Sequence, residues 1–188
     1  MMSKSEFRSK IKSLQSAITS SELKKQSTSI CSFLMSWFQA RNIQHVGIYM
    51  AMSDEINLAP FICSALDQER TIYAPKYVVS HTGYCFSEIK SISDVKMGKF
   101  NIPEPLGNPV DINQIQAILS PGLAFDPTGV RLGRGGGFYD RIFSNYLGIR
   151  IGICAHSQII PNLPVESWDQ RVHWICNEKD GMKECREN

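Results

Sequence analysis

Long apolar runs are missing from this sequence. Its 188 residues include no stretch of membrane-spanning length, and residues 1–7 lack the apolar core of a signal peptide. We therefore predict a cytoplasmic protein that has no membrane partner.

A strong charge of one sign is missing as well. The 20 lysines and arginines nearly balance the 18 aspartates and glutamates, which leaves a net charge of +2 at pH 7. A charge this small argues against nucleic acid as a partner. The hydrophobic content of 43% is enough for a sizeable core. We expect a single domain over residues 1–188, present as a monomer or a weak dimer.

Cysteine patterns that bind zinc are absent too. The six cysteines are widely scattered, without a C-x-x-C pair and without a histidine at metal-ligand spacing. Because no secretion signal is present, we do not expect a disulfide framework. We interpret all six as buried, reduced thiols: Cys31, Cys63, Cys85, Cys154, Cys176 and Cys185.

Two capping boxes predict two helices at the N-terminus. Ser3 and Glu6 match the pattern Ser-x-x-Glu, and Thr19 and Glu22 match its threonine form. Apolar residues recur at helical spacing behind each box. We predict that the two helices form a hairpin.

Strands and helices alternate in the rest of the chain. Residues 45–52 are predicted as a buried strand, Asn57 as the N-cap of a helix, and residues 71–74 as a strand closed by Pro75. Further strands are predicted at residues 84–90 (antiparallel or at an edge), 115–119, 150–155 and 172–176, with a proline-rich loop at 101–109 and a frayed tail from residue 177. This order predicts an α/β fold with a three-layer, Rossmann-like, mainly parallel sheet, helices on both faces and the N-terminal helical hairpin.

Ligands of such sheets bind beyond the carboxyl ends of the strands. Glu55, residues 121–126 and residues 156–158 all follow predicted strands. We therefore expect them to gather on one rim of the sheet, together with the glycine-rich segment described next.

Residues 130–141 (VRLGRGGGFYDR) form a glycine-rich segment that is predicted to lead into a helix reaching about Leu147. Glycine allows positive φ and a close approach of backbone N–H groups to a ligand. Arginine binds phosphate through charge-assisted hydrogen bonds. Asp140, directly behind the loop, suits Mg²⁺, which prefers one or two carboxylates together with phosphate oxygens.

Neither common phosphate loop is present in this segment. Phe138 stands where the dinucleotide fingerprint needs its third glycine, and the segment has no lysine followed by Ser or Thr, which the Walker A loop requires. The alternative interpretation is a tight structural turn in which Arg131 and Arg134 point to water.

A longer combination of residues is more specific. Residues 121–126 (PGLAFD), Gly129 and residues 131–140 (RLGRGGGFYD) resemble the signature of the 5-formyltetrahydrofolate cyclo-ligase family. Shorter segments agree in order and spacing, namely residues 4–8 (KSEFR), 52–56 (MSDEI), 75–77 (PKY), 101–105 (NIPEP) and 163–169 (LPVESWD). The resemblance runs from Lys4 to about Asn177. It departs at Trp168, where many members carry histidine, and at His173, where an acid is frequent.

The resemblance implies an ATP- and Mg²⁺-dependent conversion of 5-formyltetrahydrofolate to 5,10-methenyltetrahydrofolate, with release of ADP and phosphate. ATP would phosphorylate the formyl oxygen, and N10 of the folate would then attack.

Arg134 and Tyr139 are implied as catalytic residues, and Asp140 and Asp169 as metal-linked acids. The implied ATP contacts are Lys4, Arg8, Arg131, Leu132, Gly133, Arg134, Gly135, Gly136, Gly137, Phe138 and Tyr139. The implied folate contacts are Met50, Glu55, Arg134, Gly135, Gly136, Gly137 and Phe138. Phe138 and Tyr139 could stack on the pterin or the adenine.

Simpler interpretations stay open for several residues. Asp126 could cap a turn, as aspartate before proline commonly does. Glu55 could be an acid at a helix start, and Phe100 could pack in the core or contact a ligand ring. For the whole chain, the alternatives are a non-catalytic folate- or nucleotide-binding module on the same scaffold, and a small RNA-binding protein that uses the Arg/Gly-rich loop.

Overall fold

A computed structural model of the protein describes residues 3–15, 18–78, 83–98 and 102–186. The helices in these ranges are α1 (Lys4–Gln15), α2 (Ser20–Ala40), α3 (Ala59–Asp67) and α4 (Phe138–Phe143). The strands are β1 (His45–Gly47), β2 (Thr71–Val78), β3 (Gly83–Ile89), β4 (Val95–Met97), β5 (Pro103–Pro105), β6 (Pro109–Val110), β7 (Ala117–Pro121), β8 (Ala124–Phe125), β9 (Arg131–Leu132), β10 (Ile149–Ile153), β11 (Trp174–Asn177) and β12 (Gly181–Glu184).

Eight of the strands form one sheet in the order β12-β11-β10-β7-β1-β2-β3-β6. Its centre is parallel, because β1 pairs in parallel with β2 and β7, and β10 pairs in parallel with β7 and β11. The pairs at the two edges are antiparallel. The predicted mainly parallel sheet is confirmed, as is the antiparallel direction of the strand after β2.

Helices pack on both faces of this sheet. On one face, Leu34 and Phe38 of α2 and Phe61 of α3 are buried in one cluster with Val46 of β1. On the other face, Phe143 of α4 is buried in a second cluster. Each such side chain contributes about 1.5–3 kcal/mol when it is fully buried. The predicted three-layer arrangement is confirmed.

Both N-terminal capping boxes form as predicted. The backbone N–H of Ser3 donates to Oε2 of Glu6 at 2.7 Å, and the N–H of Glu6 donates to Oγ of Ser3 at 3.3 Å. Thr19 and Glu22 make the same reciprocal pair at the start of α2. Helix α1 buries Ile11 against β8 and β9, whereas α2 packs in the main core. The predicted hairpin of α1 and α2 is therefore not confirmed.

Two strand boundaries differ from the prediction. Strand β1 ends at Gly47 instead of residue 52, since the chain then folds back and the hydroxyl of Tyr49 donates to the carbonyl of Ile56 at 2.7 Å. Strand β2 continues through Pro75, where the prediction ended it. Proline is tolerated there because the pairing of β1 with β2 stops at Tyr73, and β3 is the described strand that pairs with β2 at Pro75.

Helix α3 begins two residues after the predicted cap. Oδ1 of Asn57 still accepts a hydrogen bond from the N–H of Ala59 at 2.9 Å. Helix α4 ends at Phe143, well before Leu147, because Tyr146 turns inward and its hydroxyl donates to the carbonyl of Ile115 at 3.0 Å.

Short edge strands replace two predicted irregular regions. The proline-rich loop contains β5 and β6, which pair with β4 and β3. The tail after β11 is not frayed, because it returns as β12 and pairs with β11. Such pairing satisfies N–H and C=O groups of β11 that would otherwise be unpaired.

The described part of the chain contains no helix that is long and apolar enough to span a membrane. All six cysteines are free thiols. Cys31, Cys154 and Cys176 are buried as predicted. Cys85 and Cys185 are half-buried and Cys63 is exposed, so the prediction of buried thiols is wrong for these three residues.

Candidate active site

A cavity of about 660 Å³ lies between the start of α1, the loop after β1 and the glycine-rich segment. Every residue that the family resemblance implied at the site lines this cavity, although the residues come from four separate parts of the chain. They are Lys4, Arg8, Met50, Glu55, Asp169 and the ten residues Arg131, Leu132, Gly133, Arg134, Gly135, Gly136, Gly137, Phe138, Tyr139 and Asp140. The fold therefore brings the predicted residues together.

The glycine-rich loop between β9 and α4 depends on positive φ at two positions. Gly135 has a φ of 106° and Gly137, the N-cap of α4, has a φ of 62°. Side chains with a Cβ rarely adopt this conformation, which explains glycine there. Helix α1 supports the loop, because Nε of Arg8 donates to the carbonyl of Gly133 at 2.9 Å.

Lys4 connects α1 to the loop that precedes β11. Its Nζ donates to Oε2 of Glu166 at 2.8 Å and to the two carboxylate oxygens of Asp169 at 2.7 and 2.5 Å. Burial lowers the pKa of Lys4, but the hydrogen bonds and charges of Asp169 and Glu166 outweigh burial and raise this pKa above its ordinary value. Lys4 is therefore a firmly held cation at one end of the cavity.

Arg131 is a second cation, and its side chain is only 4% exposed. Its Nη2 lies 3.2 Å from Oδ2 of Asp140, and its Cζ lies 5.1 Å from the ring centroid of Tyr139. Its Nε is buried without a hydrogen-bond partner among the described residues. A buried cation with an unused donor at a cavity wall suits an anionic ligand.

Arg134 pairs with two acids from the loop after β1. Its Nη2 donates to Oδ1 of Asp54 at 2.6 Å, and its Nε donates to Oε1 of Glu55 at 3.2 Å. Burial raises the pKa of Glu55, and the N–H of Met52 and the charge of Arg134 offset this increase only in part. Since α3 begins at Ala59, Glu55 is not an acid at a helix start. A buried carboxylate with a raised pKa is characteristic of functional sites.

Aromatic rings cover the adjoining wall. The ring of Phe138 lies edge-on to those of Tyr84 and Tyr139, with centroid distances of 4.5 and 4.6 Å. Tyr77 extends this cluster at 5.1 Å from Tyr84. Tyr139 is itself buried, and burial raises its pKa well above the ordinary value, so its hydroxyl stays neutral. Phe138 is half-buried and presents more surface to the cavity than Tyr139 does.

The sequence analysis missed Tyr84 and Tyr77 as site residues. They face each other because β2 and β3 pair antiparallel with Tyr77 opposite Tyr84. The sequence signals were the weak alternation of residues 84–90 for Tyr84 and the matching segment 75–77 for Tyr77, and neither reveals which ring meets the cavity.

Known proteins are similar to this chain over nearly its full length. The 5-formyltetrahydrofolate cyclo-ligase family model matches residues 1–178. The chain belongs to this family of enzymes.

It is 28% identical over 174 residues to the 5-formyltetrahydrofolate cyclo-ligase of Haemophilus influenzae, a match that covers 87% of this chain and 91% of that protein. It is 26% identical over 189 residues to a probable 5-formyltetrahydrofolate cyclo-ligase of Schizosaccharomyces pombe, covering 91% and 93% of the two chains. The NMR structure of Aquifex aeolicus 5,10-methenyltetrahydrofolate synthetase is similar with a TM-score of 0.86 and 28% identity, covering 100% of this chain and 95% of that one.

Some residues that the sequence placed on the rim lie outside the cavity of this cyclo-ligase family member. The N–H of His156 donates to Oε2 of Glu178 at 2.8 Å, and Nδ1 of His156 lies 3.1 Å from Oδ2 of Asp180. Gln158 donates to the backbone carbonyls of residues 122 and 123 at 2.9 and 3.1 Å, so it braces the chain after β7. These contacts are structural.

Asp126 caps a turn. Its Oδ1 accepts hydrogen bonds from the N–H groups of Thr128 and Val130 at 2.8 and 3.2 Å. The simpler interpretation of Asp126 is therefore confirmed. Phe100 lies outside the described residues.

Two carboxylates of the cavity could hold a metal ion. The described residues contain no cluster of three or more side chains of metal-ligating type. Asp140 and Asp169 belong to adjoining segments, because the N–H of Gln170 donates to Oδ1 of Asp140 at 3.3 Å. Each carboxylate pairs with a cation of the cavity, Asp140 with Arg131 and Asp169 with Lys4. Mg²⁺ commonly takes one or two carboxylates and fills its other positions with water and phosphate oxygens. The pair therefore fits a Mg²⁺ ion that arrives with a nucleotide.

Proposed function

We propose that this protein catalyses the ATP- and Mg²⁺-dependent conversion of 5-formyltetrahydrofolate to 5,10-methenyltetrahydrofolate, with release of ADP and phosphate. Membership of the cyclo-ligase family supports this proposal. The observation that carries it is the ion pair of Arg134 with Glu55 inside the cavity. Arg134 belongs to the glycine-rich loop and Glu55 to the loop after β1, so the ion pair joins the group proposed to bind phosphate to the group proposed to bind folate.

The triphosphate is proposed to bind along the glycine-rich loop. Lys4, Arg8, Arg131 and Arg134 all line the cavity there. Arginine and lysine make short, charge-assisted hydrogen bonds to phosphate oxygens. The unused Nε donor of Arg131 is one such group. The backbone N–H groups from Gly133 to Gly137 would add neutral donors.

The pterin of the folate is proposed to bind between Met50, Glu55 and Phe138. A carboxylate can accept two hydrogen bonds at once, which suits the adjacent ring N–H and amino group of a pterin. The half-buried Phe138 ring, with Tyr84 behind it, supplies an apolar aromatic surface for the pterin plane.

The chemistry follows from the weak reactivity of a formamide. Its carbon is a poor electrophile, so N10 of the folate does not close on it unaided. In the proposed reaction the formyl oxygen attacks the γ-phosphorus and ADP leaves, which makes that oxygen part of a good leaving group. N10 then attacks the formyl carbon and gives up its proton, and the carbon–oxygen bond breaks with loss of phosphate. Phosphoryl transfer of this kind needs positioning and charge stabilisation more than a protein nucleophile.

Arg134 and Tyr139 are proposed as the catalytic residues. Arg134 would stabilise the charge that develops on the transferred phosphoryl group. Tyr139 would donate a hydrogen bond from its hydroxyl, which burial keeps protonated. Asp140 and Asp169 would hold Mg²⁺, which neutralises charge on phosphate oxygens when it is bound. The enzyme is proposed to work in the cytoplasm as a monomer or a weak dimer.

Turnover is the direct test. The purified protein is mixed with 5-formyltetrahydrofolate, ATP and Mg²⁺, and the near-ultraviolet absorbance of the methenyl product is followed together with ADP release. We expect both signals to grow in equal amounts, and neither to grow when ATP or folate is left out. Binding of both ligands without any product would instead identify the non-catalytic binding module. RNA binding that weakens with salt would favour the small RNA-binding protein.

A further inference from the structure

Trp168 is a large aromatic residue of the cavity wall to which the proposed reaction assigns no role. Its side chain is 63% exposed although it lines the cavity. Tryptophan carries a large apolar surface, and a soluble protein that leaves such a surface open at a cavity commonly uses it to bind a ligand.

The turn that carries Trp168 is held rigidly. The N–H of Asp169 donates to the carbonyl of Glu166 at 3.0 Å, and the N–H of Glu166 donates to Oδ2 of Asp169 at 2.8 Å. Lys4 binds the carboxylates of both acids. The indole is therefore presented on a preformed support, which reduces the entropy that a ligand must remove on binding.

The position of this turn relates Trp168 to the phosphate-binding groups. Gln170, two residues further on, donates its N–H to Asp140 at 3.3 Å, and Asp140 pairs with Arg131. Lys4 contacts Asp169, the residue next to Trp168. Trp168 thus stands beside the cations at one end of the cavity.

The cavity has a second aromatic surface, which is formed by other residues than Trp168. Phe138 and Tyr84 form that surface, in the same cavity as Arg134 and its partner Glu55. Two aromatic surfaces in one cavity with a cationic loop match a pair of ligands that each contain a flat ring and that meet through a phosphate.

We propose that the indole of Trp168 stacks on the purine base of the bound nucleoside triphosphate. This inference rests on the proposed function and adds the nucleobase contact that it lacks. Stacking on an indole depends on the flat face of the base and discriminates weakly between bases. ATP and GTP therefore gain similar affinity from Trp168.

Tryptophan fluorescence reports the contact directly. Trp37 is 8% exposed, and Trp174 packs against it with ring centroids 5.3 Å apart, so these two indoles lie in the core on α2 and β11. Titration with ATP in the presence of Mg²⁺ quenches the fluorescence of the wild-type protein and of the control W174F. In W168F the quenching disappears while ATP binding, followed by calorimetry, is largely retained. Equal quenching in W168F and the wild type would overturn the proposal.

Affinity separates base stacking from a structural role of the turn. W168A binds ATP and GTP about tenfold more weakly than the wild type, whereas W168F stays within about threefold because phenylalanine can still stack. Inorganic tripolyphosphate, which has no base, binds W168A and the wild type equally well. The proposal is wrong if W168A binds ATP like the wild type, or if its affinity for tripolyphosphate falls as much as its affinity for ATP.

These binding measurements do not depend on turnover. A protein that converts 5-formyltetrahydrofolate but binds ATP equally well in W168A would retain the proposed function and lose the Trp168 contact. A protein that shows base-dependent quenching but makes no methenyl product would retain the contact and lose the proposed reaction.

Discussion

Nζ of Lys4 lies 2.7 and 2.5 Å from the two carboxylate oxygens of Asp169, a residue 165 positions further along the chain. The contact joins the first residue of α1 to the loop before β11 across the mouth of the cavity. Because α1 also supports the glycine-rich loop through Arg8, a single helix positions cations on two walls of the site.

Replacement of Lys4 by glutamine should weaken ATP binding by about tenfold or more, since a hydrogen bond to a charged group contributes about 1.5–3 kcal/mol. Lys4→Arg keeps the charge and should retain most of the affinity. Calorimetric titration with ATP and Mg²⁺ measures both variants. Equal affinity of Lys4→Gln and the wild type would remove Lys4 from the nucleotide site.

The raised pKa of Lys4 also predicts how the free energy of unfolding depends on pH. Its folded-state pKa is raised above the ordinary 10.5, because Asp169 and Glu166 outweigh the opposing effect of burial. The stabilisation from the contacts of Lys4 is fully present below pH 10.5 and is lost as pH rises through the higher folded-state pKa of Lys4. The difference in unfolding free energy between the wild type and Lys4→Gln should be constant at neutral pH and shrink only at strongly alkaline pH. Denaturant unfolding across this range checks the sign.

Arg134→Ala should lower kcat by about a hundredfold to a thousandfold, the loss that follows removal of one charge-stabilising donor. Thermal stability should fall modestly at most, since the Arg134 side chain is 34% exposed. The loss should come mainly from Glu55, whose side chain is 12% exposed and which loses its cation. Arg41→Ala is a matched control, because Arg41 packs over Trp37 and Trp174, away from the cavity. Steady-state kinetics in which Arg134→Ala keeps the wild-type kcat would contradict the catalytic role.

Glu55 should control the pH dependence of folate binding. Burial raises its pKa above the ordinary 4.5. The carboxylate that accepts the pterin hydrogen bonds is therefore lost as pH falls through this raised pKa, and the KM for the folate should rise there. Glu55→Gln should bind folate weakly at every pH. Asp54→Asn removes a neighbouring charge that raises the pKa of Glu55, so it should keep the folate affinity and move the inflection to lower pH. A flat wild-type profile across the acidic range would argue against Glu55 as the folate carboxylate.

The raised pKa of Glu55 also predicts how the free energy of unfolding depends on pH. The direction is opposite to that of an acid whose pKa is lowered by a paired cation. Protonation of Glu55 is favoured in the folded state, so its contribution to stability is present at pH below 4.5 and is lost as pH rises through the folded-state pKa. Glu55→Gln should lack this dependence and should be at least as stable as the wild type at neutral pH.

Gly135 and Gly136 form a matched pair in the loop. Gly135→Ala should cost about 1–2 kcal/mol of unfolding free energy, because its φ of 106° is strained for any residue with a Cβ. Gly136→Ala should lie within about 0.5 kcal/mol of the wild type, since a Cβ at Gly136 meets no described atom within 4 Å. Thermal unfolding measures both. If Gly136→Ala keeps its stability but loses ATP affinity, the ligand approaches the loop backbone closely.

Asp140→Asn should raise the Mg²⁺ concentration that half-saturates activity by about tenfold, the loss expected when one charged metal contact is removed. Asp126→Ala is the control, because Asp126 caps a turn beside the site and its loss should lower stability by about 1 kcal/mol without changing the Mg²⁺ requirement. Activity measured against Mg²⁺ concentration distinguishes the two acids. An unchanged requirement in Asp140→Asn would place the metal elsewhere.

Local patterns predicted the parts of this fold that depend on local contacts. The reciprocal bonds of Ser3 with Glu6 and of Thr19 with Glu22 involve neighbours in the chain, so a four-residue pattern was sufficient. The end of β1, the length of α4 and the pairing of β12 were not predicted. Each of these depends on a partner far away in sequence, such as Ile115 for Tyr146 or β11 for the tail.

The residues of the cavity also divide into those that the sequence predicted and those that it did not. The resemblance to a known family pointed to the loop residues together with Lys4, Arg8, Glu55 and Asp169, because its motifs match this sequence position by position. Tyr84 and Trp168 were not among the site residues that it implied. Their place at the cavity follows from the register of β3 against β2 and from the clamp of Lys4 on the turn at Asp169.

The sequence by itself determined the class of fold through periodicity and capping. It determined the family and most of the charged residues at the site through the resemblance of its motifs to those of a known family, but it did not mark Lys76, Glu104 and Glu166, which also line the cavity. Only the tertiary structure decided how those charges pair, which aromatic rings meet the cavity, and that Glu55 is buried against Arg134. Burial and pairing between segments far apart in the chain exist only after folding, so no local pattern encodes them.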